Sequence, residues 1–156
     1  MNGGSWVIDA SVLAKVYLRD EEFSALAAGI VSRYVEGDLE LIAPLIIAFE
    51  IPNAIQAAVR RRRLNPDDGR QAIADFFALH LPSLGDASTI EPMVAGAYGL
   101  AERVGCRLYD VCYLIVAEQS GFPLVTADLR LYEQVKSLLP YVRWIGDLPL
   151  EAGITA

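Results

Sequence analysis

Lysine, histidine and cysteine are nearly absent from this chain. Its 13 basic residues are almost all arginine, and His80 is its single histidine. The two cysteines, Cys106 and Cys112, lie six apart with no histidine nearby. That spacing makes neither a disulfide framework nor a zinc site, so two free thiols in a reducing cytoplasm are expected. Long apolar runs are missing too. Leu41 to Phe49 stops at Glu50, and Met93 to Ala101 stops at Glu102. Neither reaches the ~18–20 residues that a membrane span needs. The first nine residues carry no basic stretch and reach an acid at Asp9, so no signal peptide is expected. Repeats, low-complexity stretches and Ser/Gly linkers are also lacking, which predicts one domain over 1–156. His80 follows a predicted helix and reads as structural.

What the chain does have is apolar side chains. Hydrophobic residues make up 54% of it even with its 12 glycines left out. Ordinary globular chains reach ~45–50% with glycine included. Disorder is excluded, because such a chain buries enough surface to offset its ordering entropy. The surplus points to an unusually full core or to a surface that another chain covers.

The pattern of elements is strand alternating with helix. Trp6–Ile8 reads as a buried strand, followed by helices at 11–18 and 21–34, the second closed by Gly37. Residues 39–42 form a second strand. A longer helix follows Pro44 and ends in Arg60–Arg63, with Pro52 predicted to kink or restart it. Asn65-Pro66-Asp67-Asp68 is a cap, an N1 proline and two first-turn acids, opening a helix over 66–80. Ser88-x-x-Glu91 reads as a capping box before a helix at 90–104. A helix at 109–120 stops at Gly121, a strand covers 123–126, a helix 129–138, and a last strand 141–145. Alternation of this kind means an α/β fold, with a parallel sheet of four to five strands covered on both faces. Ligands of such sheets sit beyond the carboxyl ends of the strands, where Asp9 and Asp128 both fall.

Among the 20 acids, Asp9, Glu40, Glu50, Asp75, Asp110 and Asp128 stand with an apolar residue on both sides. Glu40 is turned outward by strand alternation. Asp75 joins Asp68 and Gln71 in a polar helical stripe. The other four sit in surroundings where a lone carboxylate is costly unless paired. No lysine or histidine lies near them in sequence. Helix capping explains Asp128 and Asp9 adequately, and Glu50 and Asp110 poorly. A shared divalent cation reconciles all four, and oxygen-only ligands favour Mg²⁺ or Mn²⁺ over zinc.

Four motifs stand in order along the chain: Val-Ile-Asp9-Ala-Ser11, Glu50-x-x-Asn53, Tyr109-Asp110-x-x-Tyr113-Leu, and Thr126-x-Asp128. On these the sequence resembles the PIN domain, and within it the small VapC-type toxins, over nearly its whole length. The resemblance implies a three-layer α/β/α fold and a Mg²⁺- or Mn²⁺-dependent endoribonuclease, with Asp9, Glu50, Asp110 and Asp128 as catalytic acids and metal ligands. It further implies Ser11 and Thr126 as hydroxyls near the metal and Asn53 as the residue orienting Glu50. Its implied partners are RNA, a small antitoxin and a second copy of the chain, with no membrane. The rival reading is a PIN-fold module that binds metal and RNA with little turnover.

Net charge is −7, which alone argues against a nucleic-acid partner. Setting the four site acids aside leaves 16 acids against 13 basic residues, and the basic ones cluster. Arg60, Arg61, Arg62 and Arg63 form an RNA-binding candidate, with Arg61 ~16 Å from Glu50 along a regular helix. Arginines at a helix C-terminus also suit its dipole without any ligand.

Overall fold

A computed structural model describes residues 4–85 and 88–149. Five strands run β1 (Ser5–Ile8), β2 (Glu40–Pro44), β3 (Ser83–Leu84), β4 (Leu124–Thr126) and β5 (Val142–Trp144). Seven helices join them: α1 (Ala10–Tyr17), α2 (Ser24–Val35), α3 (Ile47–Arg60), α4 (Pro66–Ala78), α5 (Ile90–Val104), α6 (Leu108–Ser120) and α7 (Leu129–Val135). A single 3₁₀ turn, Ile145–Asp147, follows β5.

All pairings are parallel and the strand order is β3-β2-β1-β4-β5. The chain therefore builds outward from β1 in one direction, then returns to lay β4 on its other side. That reversal makes a crevice at the carboxyl ends of β1 and β4. Helices pack in sequence, α1 on α2 and α3, α3 on α4, and α5 on α6, while α6 lies over β1, β2 and β4. The arrangement is a three-layer α/β/α fold. Among the described residues no helix is long and apolar enough to cross a membrane.

The centre of the packing is α6. Val111 through Ala117 are all buried, so the helix is apolar all round and shows no amphipathic stripe. Val7 and Ile8 from β1, Leu124 and Val125 from β4, and Ile51 and Ile55 from α3 are all within 1% of full burial. Gly121 ends α6 at φ +72°, the left-handed conformation that closes helices. Gly69 lets α4 meet α3 closely: a Cβ there would stand 2.7 Å from Val59 Cγ2.

Three expectations need correction. Helix α3 runs unbroken through Pro52 from Ile47 to Arg60, so the proline neither stops nor restarts it. Helix α2 begins at Ser24 rather than residue 21, because Phe23 takes a left-handed φ of 64° and Glu21 turns to pair with Lys15 and Arg63. The N-cap of α5 is Thr89, one residue later than the capping box put it. Strand β3 is only two residues long and both are exposed, so alternation could not mark it. Asn65 does cap α4, accepting from the Asp68 amide at 2.8 Å. Glu40 is exposed and accepts from Ser5 Oγ at 2.6 Å.

Candidate active site

The parallel register carries two acids to the crevice directly. Asp9 follows β1, and its backbone N–H bonds to Val125 of β4. Asp128 follows β4 and caps α7, its Oδ1 accepting from the Leu131 amide at 3.0 Å. Glu50 and Asp110 arrive in the first turns of α3 and α6. Asp9 feels the charge of Asp110, and Glu50 feels both. Arg130 touches Asp110 and Asp128 together. The four acids thus gather at one end of the sheet, in two halves of different character.

The inner half is held by hydroxyls. Asp9 is 7% exposed, and its side chain does not cap α1. Its Oδ2 accepts from Thr126 Oγ1 at 2.6 Å and from Ser11 Oγ at 2.7 Å. Each hydroxyl is aimed by a backbone amide: Ala127 N–H donates to Ser11 Oγ at 2.9 Å, and Asp128 N–H to Thr126 Oγ1 at 3.0 Å. Burial pushes the Asp9 carboxyl above its usual range, opposed by those two hydroxyls. Glu50 accepts a hydrogen bond from the Tyr113 hydroxyl. Burial raises Glu50 as well, and the charges of Asp9 and Asp110 add to the rise. Among the described residues neither Asp9 nor Glu50 has an ion-pair partner.

The outer half is held by arginines. Arg130 donates to Asp110 at 2.9 Å and to Asp128 at 3.2 Å, and Arg107 reaches Asp110 at 3.2 Å. Both guanidiniums are mostly in solvent, at 51% and 72% side-chain exposure. The expectation that these acids lack local partners is therefore corrected. Arginine supplies the partners, two residues after Asp128 and three before Asp110.

Asn53 is exposed and makes no hydrogen bond to Glu50; Tyr113 makes that contact instead. The signal for Tyr113 lay within the Asp110-x-x-Tyr113 motif, where a phenol hydroxyl in the buried stretch of α6 had to find a partner. Among the described residues, no three carboxylate, histidine or thiol side chains stand within common reach of one ion as oriented here. The donor chemistry still suits a hard cation, being all oxygen, and the buried Asp9 charge has no cation of its own.

Of the arginine run, Arg60, Arg61 and Arg62 are exposed with no ion pair among the described residues. Arg63 is different: it holds Asp20 at 2.8 Å and Glu21 at 2.9 Å, tying α3's end to the α1–α2 connection. Two aromatic side chains beside site acids are open to solvent, Phe49 at 73% and Tyr109 at 61%. With Ile46, Glu50 and Asn53 they line a hollow of about 260 Å³. Cys106 and Cys112 are buried free thiols whose pKa burial raises.

Comparison with known proteins gives a consistent picture. The model of the PIN domain family matches residues 6–136. The chain is 28% identical to Ribonuclease VapC3 of Pyrobaculum aerophilum, over 85% of this chain and 96% of that protein. It is 30% identical to Ribonuclease VapC9 of Mycobacterium tuberculosis, over 86% and 94% respectively. Ribonuclease VapC12 of the same organism is 29% identical, over 80% and 88%.

Proposed function

Given that the chain belongs to the PIN-domain family, we propose that it is a Mg²⁺- or Mn²⁺-dependent endoribonuclease whose catalytic acids are Asp9, Glu50, Asp110 and Asp128. In this reading one PIN domain spans 1–156, and the protein is the cytoplasmic toxin of a toxin–antitoxin pair, restrained by a small antitoxin. The observation that carries it is Asp9, a buried carboxylate without an ion-pair partner among the described residues, close to Asp110 and Glu50 at the switch point of the sheet. Relatives named as VapC ribonucleases over most of both chains support the substrate class.

A bound divalent ion would supply an acidified water and positive charge against the phosphoryl oxygens. The chain's own part is to hold the oxygen donors. Ser11 and Thr126 fix the Asp9 carboxylate through one oxygen, Oδ2. Asp128 caps α7 through Oδ1, and its Oδ2 accepts from Arg130 at the rim of the site. Arg130 stands at the same edge with donors suited to a phosphate oxygen. Arg60, Arg61 and Arg62 extend a positive track for the RNA backbone; Arg63 is engaged elsewhere.

Exposed apolar side chains on α3, α5 and α6, among them Phe49, Tyr98 and Tyr109, support self-association as a homodimer. Incubating the protein with single-stranded RNA and Mn²⁺, against a chelated control, tests the activity. Cleavage that EDTA abolishes is expected. Metal-dependent RNA binding with no cleavage would establish a binding module instead. Reversing Arg61 and Arg62 to Glu should weaken RNA binding and flatten its salt dependence. An unchanged salt slope would remove the track.

A further inference from the structure

Helix α6 carries one polar group in the stretch from Val111 to Val116 besides the Cys112 thiol: the hydroxyl of Tyr113, on a side chain 1% exposed. Burying a phenol without a partner is costly. Here the hydroxyl donates to Glu50 Oε2, across 63 residues of sequence. The Ala10 backbone N–H, at the start of α1 and next to Asp9, faces the same phenol oxygen. The negative charges of Asp9 and Glu50 both reach it. Tyr113 therefore bonds the Glu50 carboxylate while lying close to Asp9 and the start of α1.

Glu50 needs such a link more than the other acids do. Its side chain has one more rotatable bond than an aspartate and lies in the first turn of α3. Among the described residues no arginine or lysine forms an ion pair with it, Arg107 acting on it only through its more distant charge, and Asn53, one helical turn on, does not bond it. Asp9 has Ser11 and Thr126, whereas Asp110 and Asp128 share Arg130. We infer that Tyr113 is a positioning residue, whose hydroxyl fixes Glu50 relative to Asp9 by occupying Oε2 and turning Oε1 toward the metal-binding crevice. This rests on the proposed metal-dependent reading of the same site. Partners that orient a ligand in this way typically change metal affinity or activity by ~10–100-fold when removed.

Tyr113→Phe keeps the buried ring and deletes only the hydroxyl. The experiment titrates Mn²⁺ into the RNA-free wild type and variant, reading free Mn²⁺ by electron paramagnetic resonance, with thermal melts in EDTA alongside. The variant should fold cooperatively and bind Mn²⁺ at least ~10-fold more weakly. With Mn²⁺ saturating, its kcat should fall while KM for RNA stays near the wild-type value. If Tyr113 merely satisfies a buried hydroxyl, the variant melts lower and binds Mn²⁺ as the wild type does, which overturns the inference while leaving the metal site standing. Should Tyr113→Phe prove unfolded, Tyr113→Met, another large apolar substitution, carries the same comparison. A wild type that binds no Mn²⁺ would defeat the metal-dependent reading itself, and the inference with it.

Discussion

The two halves of the site solve one problem, holding carboxylates together, by different means. Asp9 and Glu50 are held by neutral hydroxyls of Ser11, Thr126 and Tyr113, which orient charge without cancelling it. Asp110 and Asp128 are held by Arg107 and Arg130, which cancel it. The hydroxyls are buried or half-buried within the fold, whereas the guanidiniums reach in from solvent. An inner half that keeps its charge is prepared for an external cation. An outer half that carries its own is prepared to exchange one.

The largest effect should come from removing an inner charge. Asp9→Asn keeps the shape and deletes the charge, so RNA cleavage in Mn²⁺ should fall to background. Residual cleavage within ten-fold of wild type would put the chemistry elsewhere. The next effect separates the two kinds of holder. Thr126→Val removes a fully buried hydroxyl from Asp9, and should weaken Mn²⁺ binding by ~10-fold or more. Arg130→Gln removes a competitor for Asp110 and Asp128, and should tighten it. Equal changes of the same sign would erase the distinction between the halves.

Stability offers a smaller contrast. Four converging acids without metal repel one another, and direct arginine ion pairs relieve that strain in the outer half. Asp110→Asn should therefore destabilise the protein in EDTA by the ~0.2–1 kcal/mol of partly exposed ion pairs, seen as a lower melting temperature. Glu50→Gln should not lower it. A melt in which Asp110→Asn gains stability would restore simple crowding of all four acids.

The smallest effect is in pH. Burial raises the carboxyls of Asp9 and Glu50 above their ordinary 3.8 and 4.5, so the folded protein binds these protons more tightly than the unfolded chain. Across the window from those values up to the raised ones, metal-free stability must fall as pH rises. It is recovered on acidification into that window. Melts in EDTA across that window should show this fall in the wild type, and less of it in an Asp9→Asn, Glu50→Gln double variant. Parallel curves would mean that neither carboxyl is perturbed.

Much of this site was legible from residue neighbours. Asp9, Glu50, Asp110 and Asp128 stood out because apolar residues flank each, and strand–helix alternation put two of them at strand ends. The asymmetry between the halves was not legible. Arg130 lies two residues from Asp128, yet its other partner, Asp110, is 20 residues back and meets it only once α6 and α7 are packed. Tyr113 sits on a helix buried all round, where no hydrophobic period singles out one position. The unbroken passage of α3 through Pro52 shows tertiary packing overriding a local penalty: Ile47, Ile51 and Ile55 anchor the helix on both sides of it.

The central claim is that a divalent cation is held through the inner acids. Calorimetric titration of Mn²⁺ into the wild type and Asp9→Asn, both free of RNA, tests it most directly. Saturable binding by the wild type that Asp9→Asn loses is the predicted result. Equal binding by both proteins, or none by the wild type, would contradict it.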